Sequence, residues 1–163
     1  MFDWYKKVVF ENYFNFSGRA RRSEYWYFTL VNLLFAAATA AIDKVLDLKF
    51  GINSLYSLAV FIPGLAVAVR RLHDIGKSGW LLLIVYLAMI ACGVSLVITG
   101  IATIGGSFSA GMGIGIILPV IIILALAIWM LVLFCTNGDK GENKYGPDPK
   151  SDGGEASNEI GAE

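Results

Sequence analysis

The residues of this sequence that could do chemistry are arginines and carboxylates, grouped in three short polar motifs. The motifs are residues 18–26 (GRARRSEYW), residues 70–80 (RRLHDIGKSGW) and residues 138–147 (GDKGENKYGP). An arginine guanidinium binds a phosphate or a carboxylate through two parallel hydrogen bonds. The neighbours His73 and Asp74 offer a general acid and a general base, but adjacent positions on a helix point about 100° apart. Anion binding and ion pairing are therefore favoured over acid–base catalysis.

We expect the charged side chains of the motifs to form one polar cluster. Its predicted members are Arg19, Arg21, Arg22, Glu24, Arg70, Arg71, His73, Asp74, Lys77, Asp139 and Glu142. In one interpretation the arginines hold a lipid phosphate or another anion. In a second, Glu24 or Asp74 lies within about 4 Å of an Arg70 or Arg71 nitrogen and locks the helix ends. A third is that the charges are separately solvated topology signals.

The sequence suggests no catalytic residue, metal site or cofactor. Cys92 and Cys135 stand singly in apolar runs, without a paired cysteine or a cluster of other ligands. A single histidine cannot supply a multi-histidine site within one chain. The 13 basic and 13 acidic residues cancel, so there is no bulk basic surface for nucleic acid.

Four long apolar runs separate the motifs, in a chain that is 56% hydrophobic and only 16% charged. They predict spans at about residues 25–42, 52–69, 80–103 and 114–135. Eighteen helical residues measure about 27 Å, close to the hydrocarbon thickness of a bilayer. Pro63 removes one backbone hydrogen bond from the second span. Asn32, an amide within the first span, is predicted to bond a neighbouring helix.

The predicted fold class is an all-α membrane protein with four transmembrane helices and an N-terminal interfacial amphipathic helix. In residues 1–16, apolar side chains recur at helical spacing on one face and charged ones take the other, which suits the headgroup region. The apolar face holds Phe2, Tyr5, Val9 and Tyr13, and the charged face holds Lys6, Lys7 and Glu11. Trp4, Trp26 and Trp80 are the expected interface anchors. We predict one membrane domain over residues 1–149, with a glycine-rich loop at 105–113, and a disordered acidic tail at 150–163.

The basic residues predict the orientation of the chain. Those expected on one side are Lys6, Lys7, Arg19, Arg21, Arg22, Arg70, Arg71, Lys77, Lys140, Lys144 and Lys150. The other side holds only Lys44 and Lys49. Because cytoplasmic loops carry the excess of lysine and arginine, both termini are predicted to be cytoplasmic.

Taken together, the three polar motifs closely resemble those of the bacterial inner-membrane family catalogued as domain of unknown function 805. The resemblance covers about residues 1–149, with the motifs in the same order between the same spans. It implies a small multi-pass protein of the bacterial inner membrane. It brings no established activity, so functional inference depends on the residues themselves.

Three classes of function remain open. The leading one is a non-enzymatic protein whose cytoplasmic cluster binds anionic membrane lipids or a partner. The second is a subunit of a small oligomeric channel or transporter, since four short spans enclose little pore alone; a homo-oligomer would then be required. However, no span contains an ionisable side chain in its interior. The third is an interfacial enzyme acting on lipid phosphates through His73 and Asp74.

Overall fold

The computed structural model describes residues 2–48, 51–104 and 110–150 of the chain. Most of the predicted glycine-rich loop and nearly all of the predicted acidic tail lie outside these residues. Within them, the chain divides into two units. One unit combines the described residues of 2–79 with residues 137–150, and the other comprises the described residues of 80–136.

Helices make up most of the described part of the chain. A short helix α1 (Phe2–Lys6) continues into a π-helical turn (Lys7–Glu11). The long helices are α2 (Arg22–Leu46), α3 (Ile52–Asp74), α4 (Trp80–Ile104) and α5 (Ala110–Cys135). Even the shortest, with 23 residues, measures about 35 Å and exceeds the roughly 30 Å hydrocarbon core. The all-α fold with four membrane-spanning helices is thus confirmed.

The long helices extend past the apolar runs that predicted them. Helix α2 begins at Arg22 and α3 continues to Asp74, so each includes charged residues of a polar motif. Helix α5 begins at Ala110, four residues before the expected start of the fourth span. Helical hydrogen bonding does not require apolar side chains, and arginine and leucine are good helix formers. Hydropathy therefore marks the lipid-facing part of each helix rather than its ends.

The sides of these helices present large apolar residues outward. Leu55 and Leu58 of α3 are each 72% exposed, and Ile98 and Ile101 of α4 are exposed to a similar extent. Soluble proteins rarely expose continuous apolar surface on this scale. In a bilayer the same surface contacts acyl chains.

In the first unit, α2 packs against α3 and the N-terminal helix packs on both. Val8, Phe28 and Val67 form its small apolar core with Ala20. Tyr5 stacks on Phe28 with 5.7 Å between the ring centroids. The predicted N-terminal helix is therefore present, with its apolar side against the helix pair, but it ends at Glu11 rather than continuing to residue 16. Phe10, which is 77% exposed, points away from that pair.

The N-terminal segment replaces a backbone hydrogen bond that Pro63 removes from α3. Pro63 has no N–H, so the carbonyl of Ala59, four residues earlier, lacks its helical donor. The Tyr13 hydroxyl donates to that carbonyl at 2.5 Å. Because lipid offers no water to a free carbonyl, this bond satisfies a group that α3 cannot satisfy itself.

Two further polar contacts join the elements of this unit. The Tyr56 hydroxyl donates to Oδ1 of Asn32 at 2.7 Å, which confirms the predicted bond between helices. The Tyr5 hydroxyl lies 3.1 Å from that of Tyr56.

Near the C-terminal end of α2, the Asp43 carboxylate accepts hydrogen bonds from the backbone N–H groups of Ile52 and Asn53. Asp43 therefore caps the start of α3.

In the second unit, α4 packs against α5. A methyl group added at Gly115 would lie 3.0 Å from Oγ1 of Thr99, so the absence of a side chain permits close approach of the two helices. The Thr99 hydroxyl donates to the Ser95 carbonyl within its own helix. Its polarity is thereby satisfied without a partner in lipid.

Candidate functional site

The three polar motifs meet where α2 begins and α3 ends, within the first unit. Glu24 lies in the first turn of α2, and Arg70 and Asp74 lie in the last turns of α3. Two backbone bonds fix the approach of the loops. The Ala20 N–H donates to the Arg70 carbonyl at 3.0 Å, and the Asp139 N–H donates to the Asp74 carbonyl at 2.8 Å. Residues far apart in sequence thus converge on the end of one helix.

Asp74 is the centre of this convergence. Its Oδ1 accepts a hydrogen bond from Nε of Arg19 at 3.0 Å, and its Oδ2 pairs with Nη1 of Arg71. All three side chains are buried, and Arg71 is fully so. Both carboxylate oxygens therefore serve a shared ion-pair triad. This confirms the expectation that an acidic motif residue lies within about 4 Å of Arg70 or Arg71.

A second buried pair lies beside the triad. Oε1 of Glu24 is 2.6 Å from Nη1 of Arg70, and both side chains are at most 4% exposed. Nζ of Lys7, on the N-terminal helix, lies 3.8 Å from the other oxygen of Glu24. Glu24 thus links the N-terminal helix to α3. As an acid in the first turn of α2, it also suits the positive end of that helix dipole.

The arginines of the first motif hold the C-terminal loop through its backbone carbonyls. Arg19 donates from Nη1 to the Gly141 carbonyl at 2.6 Å and from Nη2 to the Asp139 carbonyl at 2.5 Å. Arg21 donates from Nε to the carbonyl of Pro149. Arg19 therefore connects the carboxylate of the second motif with the backbone of the third.

His73 is held by neighbours rather than left open to solvent. Its Nδ1 lies 3.1 Å from the Gly18 carbonyl, so Nδ1 carries the proton and donates. The imidazole stacks on Tyr145 with ring centroids 3.8 Å apart and planes within 5°. Nδ2 of Asn143 donates to the His73 carbonyl at 3.0 Å. Sequence reasoning did not select Tyr145 or Asn143, although both stand in the third motif.

Two glycines permit these contacts. A methyl group at Gly138 would overlap the Asp74 carboxylate, so the loop approaches the triad only without a side chain there. Gly76 has a positive φ of 68°, and a methyl group there would lie 2.8 Å from Oδ2 of Asp139. Glycine between charged residues was the sequence signal for this close approach.

Some predicted residues lie outside the buried centre. Lys77 and Glu142 are exposed, and so is Arg22, which donates to Oδ1 of Asn137 at 2.8 Å. The Asp139 side chain is exposed as well, although its backbone belongs to the centre. Of the predicted anchors, Trp4 and Trp26 are half-buried and Trp80 is 72% exposed.

A cavity of about 440 Å³ opens between the N-terminal helix and the loops of the cluster. Its lining includes Trp4, Lys7, Arg19, Arg21, Glu24 and Arg70. This volume falls within the range typical of small-ligand sites. Four cations face a single carboxylate in that lining, which favours an anion as occupant.

The C-terminal loop carries an ionised carboxylate, Asp148, which does not line this cavity. The backbone N–H of Lys150 lowers the pKa of Asp148, and the N–H of Gly141 and the charge of Arg19 act in the same direction. Within the described residues, no three histidine, cysteine, aspartate or glutamate side chains are grouped so as to hold a metal ion. Ion pairing and anion recognition are the chemistry this arrangement offers.

Comparison with known proteins places the sequence among similar membrane proteins. A family model described as "Protein of unknown function (DUF805)" matches residues 13–147. The chain is 40% identical over 149 residues to the inner membrane protein YhaI of Escherichia coli K12, covering 90% of this chain and 95% of YhaI. It is 32% identical over 155 residues to the inner membrane protein YhaH of the same strain, covering 91% and 97%. No solved structure matches the chain.

Proposed function

We propose a function on the premise that this chain belongs to the family described as "Protein of unknown function (DUF805)" and is a multi-pass inner-membrane protein. The function is the binding of anionic lipid headgroups by the arginine-rich cluster at the cytoplasmic face. It is a non-enzymatic role, in which the cluster recognises charge at the level where the helices enter the membrane.

One observation carries this proposal, the charge balance of the buried cluster. Among the described residues, three arginines are buried (Arg19, Arg70 and Arg71) against two carboxylates (Glu24 and Asp74). A buried charge without compensation is costly, so an excess of one buried cation favours the arrival of an anion. At the membrane surface, the ends of the helices lie beside abundant anionic lipid headgroups.

The contacts of the cluster also support the proposed orientation. Arg19 precedes the first span, and the Gly141 carbonyl that it binds follows the fourth. Residues in contact cannot be separated by a bilayer, which supports placing the segment before the first span and the segment after the fourth on one side. The excess of basic residues predicted for that side supports its placement in the cytoplasm.

The test is lipid retention by the intact protein. Detergent-purified protein is mixed with phosphatidylglycerol or phosphatidylcholine of identical acyl chains and measured by native mass spectrometry. We expect selective retention of phosphatidylglycerol, and loss of that selectivity in the variant Arg70→Ala/Arg71→Ala.

The control is Lys44→Gln, near the opposite end of α2, which removes one positive charge away from the cluster and should retain phosphatidylglycerol normally. Melting of each variant in detergent shows whether it remains folded. Equal retention of the two lipids by the unaltered protein would refute the proposal.

A further inference from the structure

The guanidinium of Arg70 has one edge without a partner. Its Nη1 is bonded to Glu24, whereas Nε and Nη2 are buried and have no hydrogen-bond partner among the described residues. The Arg70 residue as a whole is only 3% exposed. Leaving two buried donors without hydrogen bonds costs free energy, and the cost is larger for a charged group. Such a cost is tolerated where a ligand completes the bonding.

The two unpaired nitrogens are those that can act together. In a guanidinium, Nε–H and one Nη–H run parallel along one edge, in the geometry that matches two oxygens of a phosphate or carboxylate. Because Glu24 engages the remaining nitrogen, it holds the guanidinium through Nη1 without occupying that edge. The bidentate edge of Arg70 is therefore left for another partner.

Arg70 also lines the cavity of about 440 Å³. We propose that this cavity is a phosphodiester site, in which Arg70 binds two phosphate oxygens through Nε and Nη2 after a small rotation toward the cavity. Lys7 and Arg21 in the same lining add positive charge around the phosphate. This inference rests on the proposed function and specifies where the lipid headgroup is held.

The lining suits a headgroup more than an isolated anion. Trp4 and Lys7 belong to the amphipathic N-terminal helix, whose aromatic and basic residues are typical of the interface. Asn15 and Ser17 supply amide and hydroxyl groups for the hydroxyls of a glycerol headgroup. The phosphate would thus lie at Arg70, with the polar headgroup toward the loop.

The test separates the bidentate edge from charge alone. Arg70→Lys keeps a cation that can pair with Glu24 but lacks the planar edge. The matched control is Arg22→Lys, on an exposed arginine that lies outside the buried centre and does not line the cavity. In nanodiscs, Arg70→Lys should bind phosphatidylglycerol about tenfold more weakly, and Arg22→Lys should bind it as the unaltered protein does.

A second measurement reports on the bonds themselves. In protein labelled with ¹⁵N, the Nε–H resonance of Arg70 is assigned by its absence in Arg70→Lys. Adding phosphatidylglycerol to phosphatidylcholine nanodiscs should shift this resonance downfield, while inorganic phosphate at the same concentration should not.

Each outcome has a distinct meaning. A shift with inorganic phosphate alone would overturn the lipid as the source of the anion, and with it the proposed function, while keeping the cavity as an anion site. Selective lipid retention that is equal in the unaltered protein and Arg70→Lys, with no shift of the resonance, would overturn the cavity site and leave the proposed function standing. No selective retention of phosphatidylglycerol by the unaltered protein, together with no shift of the resonance, would overturn both the cavity site and the proposed function.

Discussion

At the residue scale, Arg70 and Glu24 form the buried ion pair whose contribution to stability is easiest to measure by mutation. Asp74 is shared by Arg19 and Arg71, so removing it leaves two arginines uncompensated. Among the charged groups that the structure describes, Glu24 has only Arg70 at short range, with Lys7 at 3.8 Å. A double-mutant cycle between Arg70 and Glu24 therefore isolates one interaction more cleanly than any cycle through Asp74.

We expect Arg70→Met alone to destabilise the protein strongly, by about 3 kcal/mol or more, because Glu24 is left buried without its main partner. The double variant Arg70→Met/Glu24→Gln should lose less, since no buried charge remains on either side. The free energy of unfolding in mixed micelles measures both. A double variant as unstable as the sum of the two single changes would contradict a coupled pair.

At the scale of the elements, the N-terminal helix is joined to α3 through the gap that Pro63 leaves. The Tyr13 hydroxyl supplies the donor that the Ala59 carbonyl otherwise lacks. Tyr13→Phe removes that donor and should cost about 1 kcal/mol of unfolding free energy. With Pro63→Ala, residue 63 regains an N–H that can bond the Ala59 carbonyl along the helix.

In the Pro63→Ala background, Tyr13→Phe should therefore cost almost nothing. Tyr5→Phe is the matched control, because the Tyr5 hydroxyl contacts that of Tyr56 and not the proline gap. Its cost should be the same with either residue at position 63. An equal cost of Tyr13→Phe in both backgrounds would show that the carbonyl bond does not matter for stability.

At the scale of the whole molecule, the distribution of basic residues and the contacts of the cluster predict the same membrane orientation. A reporter active only in the periplasm should be active when inserted near residue 109 and inactive when fused after residue 163. The physical reason is the eleven-to-two distribution of basic residues between the two sides. The reverse pattern would refute the orientation, and activity at the C-terminus would indicate an odd number of spans.

The sequence alone determined that this protein has long helices surrounded by lipid, and how many of them there are. An apolar run long enough to cross a bilayer is a local property, because each lipid-exposed helix satisfies its own backbone and needs no partner to be recognised. The predicted bond of Asn32 to another helix followed from the same rule, since an amide in lipid requires a partner. The grouping of the polar motifs could also be predicted from the sequence, because every second span returns the chain to the same side of the membrane.

Only the tertiary structure decided which groups pair within that cluster. Seven basic or imidazole side chains and four carboxylates allow many pairings of similar charge, and composition does not distinguish among them. The fold places Asp74 between Arg19 and Arg71, and gives Glu24 to Arg70. These pairs join residues about fifty positions apart, except for Arg71 and Asp74. The unpaired edge of Arg70 and the Tyr13 bond to Ala59 have the same origin, because both depend on where separate segments pack rather than on any local pattern.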